Sequence, residues 1–235
     1  FSSMNLSFTR GDDPERVREN YRRAAAALGV PAEHIVCSDQ THTTNVRHVT
    51  MEDRGKGVFR EKGYRDVDGL ITDTPGLVLA TFFADCVPLF FVDPVQRCIG
   101  LSHSGWKGTA ARMGARTVEA MIETFGSDPA DIRAAIGPSI CVDCYEVSED
   151  VIQAFAKNYD RAVMKEICYR KENGKYQLNL WEANRHVLLA AGILPEHLAV
   201  TDICTCCNPN RLFSHRASQG KRGNLAAVLA ISDGI

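Results

Sequence analysis

Cysteine and histidine residues beside apolar runs are the first feature of this sequence that could do chemistry. Cys86 lies between the apolar runs 77–83 and 87–92, and His103 follows the apolar run 98–101. Side chains at the ends of buried strands leave the core and can line a functional site. Both residue types bind zinc or copper. One Cys and one His do not make a metal site, so a buried thiol beside a hydrogen-bonded imidazole remains the alternative.

His42 is the best candidate for a third ligand. It lies in the polar, turn-like segment 38–44 between two strand candidates, where an exposed histidine has no packing role. One Cys and two His leave one position of a tetrahedral zinc ion open, which is the arrangement of catalytic zinc sites. Copper accepts the same ligands, so the residue types do not select the metal. The sequence therefore predicts a site of His42, Cys86 and His103 for Zn²⁺ or, alternatively, Cu²⁺.

Charged residues near these runs are candidates for substrate binding and for proton transfer. Lys107 follows a Gly-bounded turn and precedes a helix that Thr109 could cap, and a helix start with an adjacent lysine binds phosphate. Arg216 brings a fixed positive charge to a polar turn. Either could instead be an ordinary solvated side chain. One of four carboxylates could be a general base if it lies buried near the metal: Asp68, Asp73, Asp85 or Glu146.

Other motifs are either absent or incomplete. The Walker phosphate loop, the Gly-x-Gly-x-x-Gly fingerprint, His-Glu-x-x-His and Gly-x-Ser-x-Gly are missing. No His is followed two positions later by Glu, so the nucleobase-deaminase signature is missing too. The Cys-rich run 204–207 looks like a metal knuckle, but no partner pair lies at zinc-ribbon spacing. Cys141 and Cys144 could join it in space, which the sequence cannot show.

The elements that must position these residues are interleaved strands and helices. Near-continuous apolar runs predict strands covered on both faces, at 77–83, 87–92 and 98–101. The spacing of apolar residues predicts an amphipathic helix over 109–125, and Asp12-Asp13-Pro14 predicts the start of an earlier helix that ends at Gly29. Asn173-Gly174 predicts a hairpin between segments 163–169 and 176–180. Without linkers or repeats, the pattern predicts one α+β (mixed α/β) domain with mixed β-sheets.

The composition is that of an ordinary globular protein. Hydrophobic residues make up 45% and charged residues 24%. The net charge of −2 and the lack of a long apolar run predict neither a nucleic-acid nor a membrane partner. Nine cysteines, an odd number, without a visible signal peptide predict a reducing, cytoplasmic location. The sequence does not predict the oligomeric state.

Several motifs that follow one another in order carry a resemblance to a known family. They are Asp68-Gly69-Leu70-Ile71-Thr72-Asp73, Ala84-Asp85-Cys86-Val87-Pro88, His103-Ser104-Gly105-Trp106-Lys107-Gly108, Ile136-Gly137-Pro138-Ser139-Ile140 and Cys144-Tyr145-Glu146-Val147, with Gln40-Thr41-His42 upstream and Phe213-Ser214-His215-Arg216 downstream. Together they resemble the YfiH-type laccase-domain family, also described as multicopper polyphenol oxidases and as purine nucleoside phosphorylases. The resemblance runs from about Asn5 to Ile231.

The resemblance implies a single domain with mixed sheets and helices on the outer faces. It implies a metal on His42, Cys86 and His103, the three residues selected above. The family's N-terminal strands, with their Ser-Thr-Arg and Gly-Gly segment, are missing ahead of Phe1, so residues 1–235 are predicted to be one catalytic domain without them. Two further departures are the turn at 39–41, where Lys-Gln-Val is commoner, and position 215, where Tyr is common.

The leading hypothesis is a zinc-dependent purine nucleoside phosphorylase, with purine nucleoside and phosphate as its partners. The resemblance implies phosphorolysis of adenosine, inosine and S-methyl-5'-thioadenosine, and adenosine deamination. Zinc lowers the pKa of water toward about 7, which would give a nucleophile for C6 of the purine. Lys107 and Arg216 are the residues predicted to bind the phosphate.

Two rival enzymes remain open. One is a copper-dependent polyphenol oxidase, although dioxygen reduction needs several coppers and the chain has seven His. The other is a Cys-His hydrolase in which Cys86 is the nucleophile and His103 the base. A non-enzymatic binding role would be favoured if the three ligands lay far apart.

Overall fold

Apolar runs form the strands of the computed structural model, which describes residues 4–232. The strands within that range are β1 Ile35–Cys37, β2 Val46–His48, β3 Gly69–Thr72, β4 Val78–Phe83, β5 Val87–Asp93, β6 Cys98–Ser104, β7 Arg133–Ile136, β8 Glu146–Val147, β9 Cys168–Arg170, β10 Tyr176–Leu178, β11 Leu198–Val200 and β12 Leu225–Ala230. The three near-continuous runs of the sequence are β4, β5 and β6. Strand β6 is buried along its whole length, as expected of a strand covered on both faces.

The strands assemble into three sheets. The largest has six strands in the order β11-β7-β5-β6-β3-β2, and it mixes parallel pairs at both edges with antiparallel pairs in the centre. A second sheet has the order β1-β4-β12, and a small third sheet has the order β8-β10-β9. The predicted α+β fold, a single domain with mixed β-sheets, is confirmed.

Helices cover the outer faces of the two larger sheets. The helices of the described range are α1 Pro14–Leu28, α2 Trp106–Ala110, α3 Met113–Phe125, α4 Glu149–Ala156, α5 Arg161–Ile167, α6 Leu180–Ala190 and α7 His215–Ser218. Leu70, Leu79 and Leu101 pack between the second sheet and the six-stranded sheet. Because neighbouring strand residues point to opposite faces, Ile71 packs on the other side, with Met121 of α3 in its cluster.

The first helix begins and ends as its sequence predicts. The Asp13 carboxylate accepts a hydrogen bond from the backbone N–H of Glu15, and Pro14 occupies the first turn. Gly29 ends the helix with a φ of 69°, in the left-handed region that favours glycine.

The predicted helix over 109–125 is wrong at its start. The structure has two helices there, α2 and α3, separated by Arg112 with a φ of 63°. Helix α2 begins after Gly105, so Thr109 lies inside it and does not cap it. The Thr109 side chain is buried, and its hydroxyl bonds to Ser104 and accepts from the Asn184 amide, which leaves it unavailable as a cap.

The predicted hairpin is confirmed near its turn and wrong at its outer end. Strands β9 and β10 pair antiparallel across Asn173-Gly174. Residues 163–167, however, belong to helix α5. The Asp160 carboxylate caps that helix by accepting from the N–H groups of Ala162 and Val163, and this local capping overrides the strand-like composition.

The helices of residues 4–232 include none with the length and apolar character that a bilayer crossing requires.

Candidate metal centre

Strand pairing brings the three predicted ligands together. Cys86 lies in the turn between β4 and β5, and the antiparallel pairing of β5 with β6 places Pro88 opposite His103. His42 lies in the turn that follows β1. The ligand atoms of His42, Cys86 and His103 all lie within 4.8 Å of one another, and the two imidazole rings are nearly perpendicular, with centroids 5.0 Å apart. Distances of this size allow all three side chains to bind one ion.

Asp68 holds both histidines in position. It directly precedes β3, and the pairing of β3 with β6 puts its fully buried carboxylate beside His103. Asp68 Oδ1 lies 2.8 Å from His103 Nδ1 and accepts from the backbone N–H of His42 at 3.1 Å. Asp68 Oδ2 accepts from the N–H groups of Thr41 and Thr43, both at 3.0 Å. Since Nδ1 of His103 is engaged, Nε2 is the nitrogen left for a metal ion.

The charges at this centre favour the metal-binding form of Cys86. Burial alone would raise the pKa of the Cys86 thiol, but the neighbouring imidazoles of His103 and His42 lower that pKa to about 6. Burial alone would lower the pKa of His103, but the Cys86 thiolate and the Asp68 carboxylate raise it to about 9. Burial would likewise raise the pKa of Asp68, but hydrogen bonds from His103 and the backbone keep it below its ordinary value. A thiolate is therefore available at neutral pH.

Two backbone positions at the centre are unusual for their residue types. His42 has a φ of 67° and Asp85 a φ of 92°, both in the region that favours glycine. Several hydrogen bonds hold the turn that contains Asp85. One Asp85 carboxylate oxygen accepts from the Thr205 hydroxyl at 2.6 Å, and the other accepts from the backbone N–H of Arg216 at 2.7 Å. The Asp85 carbonyl accepts from the N–H of Ile140 at 3.0 Å. These contacts fix the backbone immediately before Cys86.

Gly105 leaves space for the ligand side chains. A Cβ atom at this position would lie 2.8 Å from His42 Cδ2 and 3.0 Å from Cys86 Sγ. The first distance is shorter than ordinary Cβ contacts and the second is tight, so the close approach of the β6–α2 turn to the ligands favours glycine.

A cavity of about 480 Å³ opens over the three ligands. Its walls include the aromatic residues Phe8, Tyr21, Phe82 and Phe83 and the cations Arg10, Lys62 and Arg222. Lys62 Nζ is paired with Asp39 Oδ1 at 2.6 Å. Within residues 4–232, the buried Nε of Arg222 has no hydrogen-bond partner. Arg222 therefore has one donor that no described protein group uses, and exposed Arg10 lies on the same wall.

The other predicted residues lie at varying distances from this cavity. Lys107 is exposed on α2, with its Nζ 5.6 Å from the centroid of the Trp106 ring. The Arg216 guanidinium is exposed and donates to the carbonyls of Cys144 and Glu146. Neither lines the cavity, so their phosphate role stays a prediction. Of the candidate bases, Asp68 and Asp85 lie at the centre, whereas exposed Asp73 faces His48 and Glu146 pairs with Lys171 and Lys175.

Sequence reasoning missed the cavity cations Arg10 and Arg222. Neither belongs to a recognisable motif. Arg222 reaches the cavity because β12 pairs with β4, a strand distant in the sequence. This pairing brings residues 222–224 to the same edge as the ligands. The missing signal is long-range pairing, which a single sequence does not carry.

Comparison with known proteins identifies the family of this chain. The sequence profile of the family described as multi-copper polyphenol oxidoreductase laccase matches residues 1–232. The chain belongs to that family. The crystal structure of the Bacillus licheniformis hypothetical protein YfiH superposes on this laccase-family chain with a TM-score of 0.94 and 39% identity, covering 99% of this chain and 87% of that one.

Curated relatives of this laccase-family member are named for reactions of purine nucleosides. Purine nucleoside phosphorylase YlmD of Bacillus subtilis strain 168 is 37% identical over 237 residues, covering 99% of this chain and 84% of the relative. Adenosine deaminase RL5, from an unknown prokaryotic organism, is 35% identical over 218 residues, covering 92% of this chain and 82% of the relative. The relatives are thus named as enzymes.

The metal that the laccase family implies fits the donors present. One thiolate and two imidazoles suit zinc or copper, and three protein ligands leave a position open. The Asp68 carboxylate behind His103 is the usual outer partner of a metal-bound histidine. The bare backbone at Gly105 leaves the ligand side chains room to meet. The donor set does not select between the two metals.

Proposed function

We propose that this chain is a zinc-dependent purine nucleoside phosphorylase that acts on adenosine, inosine and S-methyl-5'-thioadenosine, with adenosine deaminase activity at the same centre. One observation carries the proposal: His42, Cys86 and His103 converge at a cavity with aromatic and cationic walls. The names of the curated relatives support both reactions.

The cavity has the size and walls that a nucleoside needs. Its volume of about 480 Å³ falls within the ordinary range of roughly 300–1,000 Å³ for small-molecule sites. Phe8 and Tyr21 stack with ring centroids 5.8 Å apart, and Phe82 meets Tyr21 edge-on at 6.3 Å. A rigid aromatic wall of this kind can bind the face of a purine ring. The aromatic residues would hold the base, and the cations would remain for the anionic co-substrate.

Phosphorolysis requires a bound phosphate near the sugar. Arg222 has an unpaired Nε donor and lines the cavity together with Arg10, whereas Lys62 is neutralised by Asp39. Arginine binds phosphate oxygens through two parallel N–H groups. Arg222 and Arg10 therefore join Lys107 and Arg216 as candidates, and the first two have the advantage of lining the same cavity as the ligands.

The chain's own residues would prepare the metal centre for chemistry. Bound zinc supplies a Lewis acid and lowers the pKa of water. Asp68 orients His103 and retains the proton at Nδ1, so Nε2 stays directed toward the cavity. Cys86 provides negative charge at neutral pH. The aromatic wall excludes water from one side and orients the base toward the ligands.

Copper-dependent phenol oxidation is less well supported by the donor groups. Reduction of dioxygen by a laccase needs several coppers. Among residues 4–232, His42 and His103 are the only two histidines that share one candidate metal group. One mononuclear site of this kind suits hydrolytic or group-transfer chemistry better than four-electron reduction.

The test is incubation with adenosine in the presence and absence of phosphate, with adenine, inosine and hypoxanthine quantified separately. Adenine that appears only with phosphate reports phosphorolysis, and inosine that appears in both conditions reports deamination. His103→Ala should abolish both reactions and lower the zinc content, whereas His186→Ala, a histidine outside the cavity, should retain both. Undiminished turnover by a His103→Ala protein that has lost the zinc of this centre, or the absence of every product from the zinc-loaded wild type, would refute the proposal.

A further inference from the structure

Four cysteines that the proposed reaction does not use form a second cluster. Cys141 and Cys144 lie on the loop after β7, and Cys204 and Cys207 lie on the loop after β11. Their four Sγ atoms lie within 4.8 Å of one another, and all four are free cysteines. Each pair has the Cys-x-x-Cys spacing, although 59 residues separate Cys144 from Cys204. This arrangement joins two half-sites that the sequence leaves far apart.

The sulfur–sulfur distances match a single tetrahedral ion. Cys207 Sγ lies 3.9 Å from Cys141 Sγ and 3.5 Å from Cys144 Sγ. Four zinc–sulfur bonds of about 2.3 Å at tetrahedral angles place neighbouring sulfurs about 3.8 Å apart. A disulfide bond requires about 2.05 Å. The sulfurs are thus too far apart for a disulfide and spaced for one ion between them.

The backbone supports a negatively charged sulfur in this cluster. Cys204 Sγ is buried and accepts hydrogen bonds from the backbone N–H of Cys141 at 3.3 Å and of Cys207 at 3.4 Å. One donor comes from each loop, and both bonds stabilise a thiolate over a thiol. Four thiols packed together without a cation would gain little from such donors. The hydrogen bonds are therefore a second indication, independent of the distances, that a cation belongs here.

We propose that Cys141, Cys144, Cys204 and Cys207 bind a structural Zn²⁺ ion. Four protein ligands complete a tetrahedron and leave no open position, which distinguishes this site from the three-ligand centre. Zinc suits a tetrathiolate set better than the oxygen-seeking ions do.

The zinc ion would fix the backbone next to Cys86. Ser139 pairs with Cys204, so the two cysteine loops run side by side. The next residue of each loop bonds to Asp85: Thr205 through its hydroxyl and Ile140 through its N–H. An ion bound by cysteines of both loops would therefore hold Ile140 and Thr205, the two residues that bond to Asp85, in fixed positions. The proposed zinc site thus positions one ligand of the centre without touching substrate.

Metal analysis of protein purified without a histidine tag from zinc-supplied, copper-free medium tests the site. The wild type should contain about two zinc ions per chain. Cys144→Ser/Cys207→Ser should lose about one of them, and Cys206→Ser, in the same loop but outside the ligand set, should lose none. His42→Ala/His103→Ala should retain the tetrathiolate ion, and X-ray absorption of that variant should show four sulfur neighbours at about 2.3 Å.

A measurement on the wild type covers the case in which the double-serine variant fails to fold. Titration with a mercurial thiol reagent should release about two zinc ions per chain from the wild type and about one from His42→Ala/His103→Ala. Stoichiometric iron in place of zinc, a disulfide among the four cysteines after anaerobic purification, or release of no zinc from His42→Ala/His103→Ala would overturn the proposal. Nucleoside turnover is measured separately, so a failure of the proposed reaction leaves this result unaffected.

Discussion

Asp68 connects both histidines of the metal centre through a single buried carboxylate. It bonds the imidazole of His103 on one side and the backbone of the His42 turn on the other. Each backbone N–H that it accepts fixes one residue of the turn, including the left-handed backbone of His42. Asp68 is thus a positioning residue. Its carboxylate oxygens form hydrogen bonds with other protein groups, and they affect the metal centre only through His103 and the His42 turn.

Replacing Asp68 with Asn should weaken metal binding more than it alters the fold. The amide keeps the shape, but it has one acceptor oxygen where five hydrogen bonds converge, and it removes the charge behind His103. Zinc affinity should fall about 10- to 100-fold, as for other outer partners of metal-bound histidines. A competition titration with a zinc chelator measures it. Asp66→Asn, at an exposed position two residues before Asp68, is the control, and equal affinities for the two variants would contradict the role of Asp68.

The Cys86 thiol should titrate below the range of a free cysteine. Its pKa of about 6 lies below the value of about 8.5 for a free thiol. The thiolate is therefore populated above pH 6 and is lost as the pH falls through 6. After a chelator has removed metal from the open site, alkylation of Cys86 should reach half its maximal rate near pH 6, as followed by mass spectrometry of its peptide. Zinc should protect it, and a rate that still rises above pH 8 would show an ordinary thiol.

At the residue scale, the sequence predicts the candidate metal ligands better than it predicts the residues that position them. The residue types of His42, Cys86 and His103 and their places beside strands predict a shared site, and the structure brings the three together. Asp68 was one of four carboxylates with equal claims, because only the pairing of β3 with β6 shows which one faces a histidine. Their role as ligands remains a prediction for the experiments above.

The turn from β6 into α2 packs directly against the ligand side chains of the centre. His103 and Ser104 end β6, Gly105 makes the turn, and α2 begins at Trp106. Gly105 has a φ of −69°, which any residue adopts, so backbone strain does not explain the glycine. The explanation is the proximity of its missing side chain to His42 and Cys86.

Gly105→Ala should damage the metal centre by contact alone. The added methyl would lie 2.8 Å from His42 Cδ2, and relieving such overlap costs about 1–3 kcal/mol. Displacing the ligands at that cost should lower zinc affinity about tenfold or more. Gly108→Ala is the matched control, because its Cβ would meet atoms at 3.6 Å or beyond, which is ordinary contact. If chelator titration gives both variants wild-type affinity, the turn does not constrain the ligands.

At the element scale, the sequence predicts a helix end well where the capping contact joins residues close together in the chain. Asp13 and Gly29 bound α1 as expected. The prediction that Thr109 caps a helix is wrong, because its hydroxyl bonds to Asn184, 75 residues away along the chain. When a distant residue bonds to a potential capping side chain, the residues near that side chain in the sequence do not show that it cannot cap the helix.

The cavity belongs to the whole molecule, because its walls come from the two ends of the chain and from the strands between them. Phe8 and Arg10 precede α1, His42 and Cys86 follow β1 and β4, and Arg222 precedes β12. The Asn5 side chain accepts from the N–H of Asn224 and ties the two ends together. Each segment alone is unremarkable in composition, so the cavity could be predicted only after the strand order was known.

Arg222→Gln should weaken phosphate binding without removing the metal. Hydrogen bonds to charged groups contribute about 1.5–3 kcal/mol, so the KM for phosphate should rise about 10- to 100-fold while the zinc content and the phosphate-independent deamination of adenosine stay near wild type. Lys221→Gln, the adjacent exposed cation outside this cavity, should leave the KM unchanged. Steady-state kinetics with phosphate varied at saturating inosine measures both. If Lys107→Gln raises the KM for phosphate and Arg222→Gln does not, the phosphate binds at helix α2, and the cavity cations have another role.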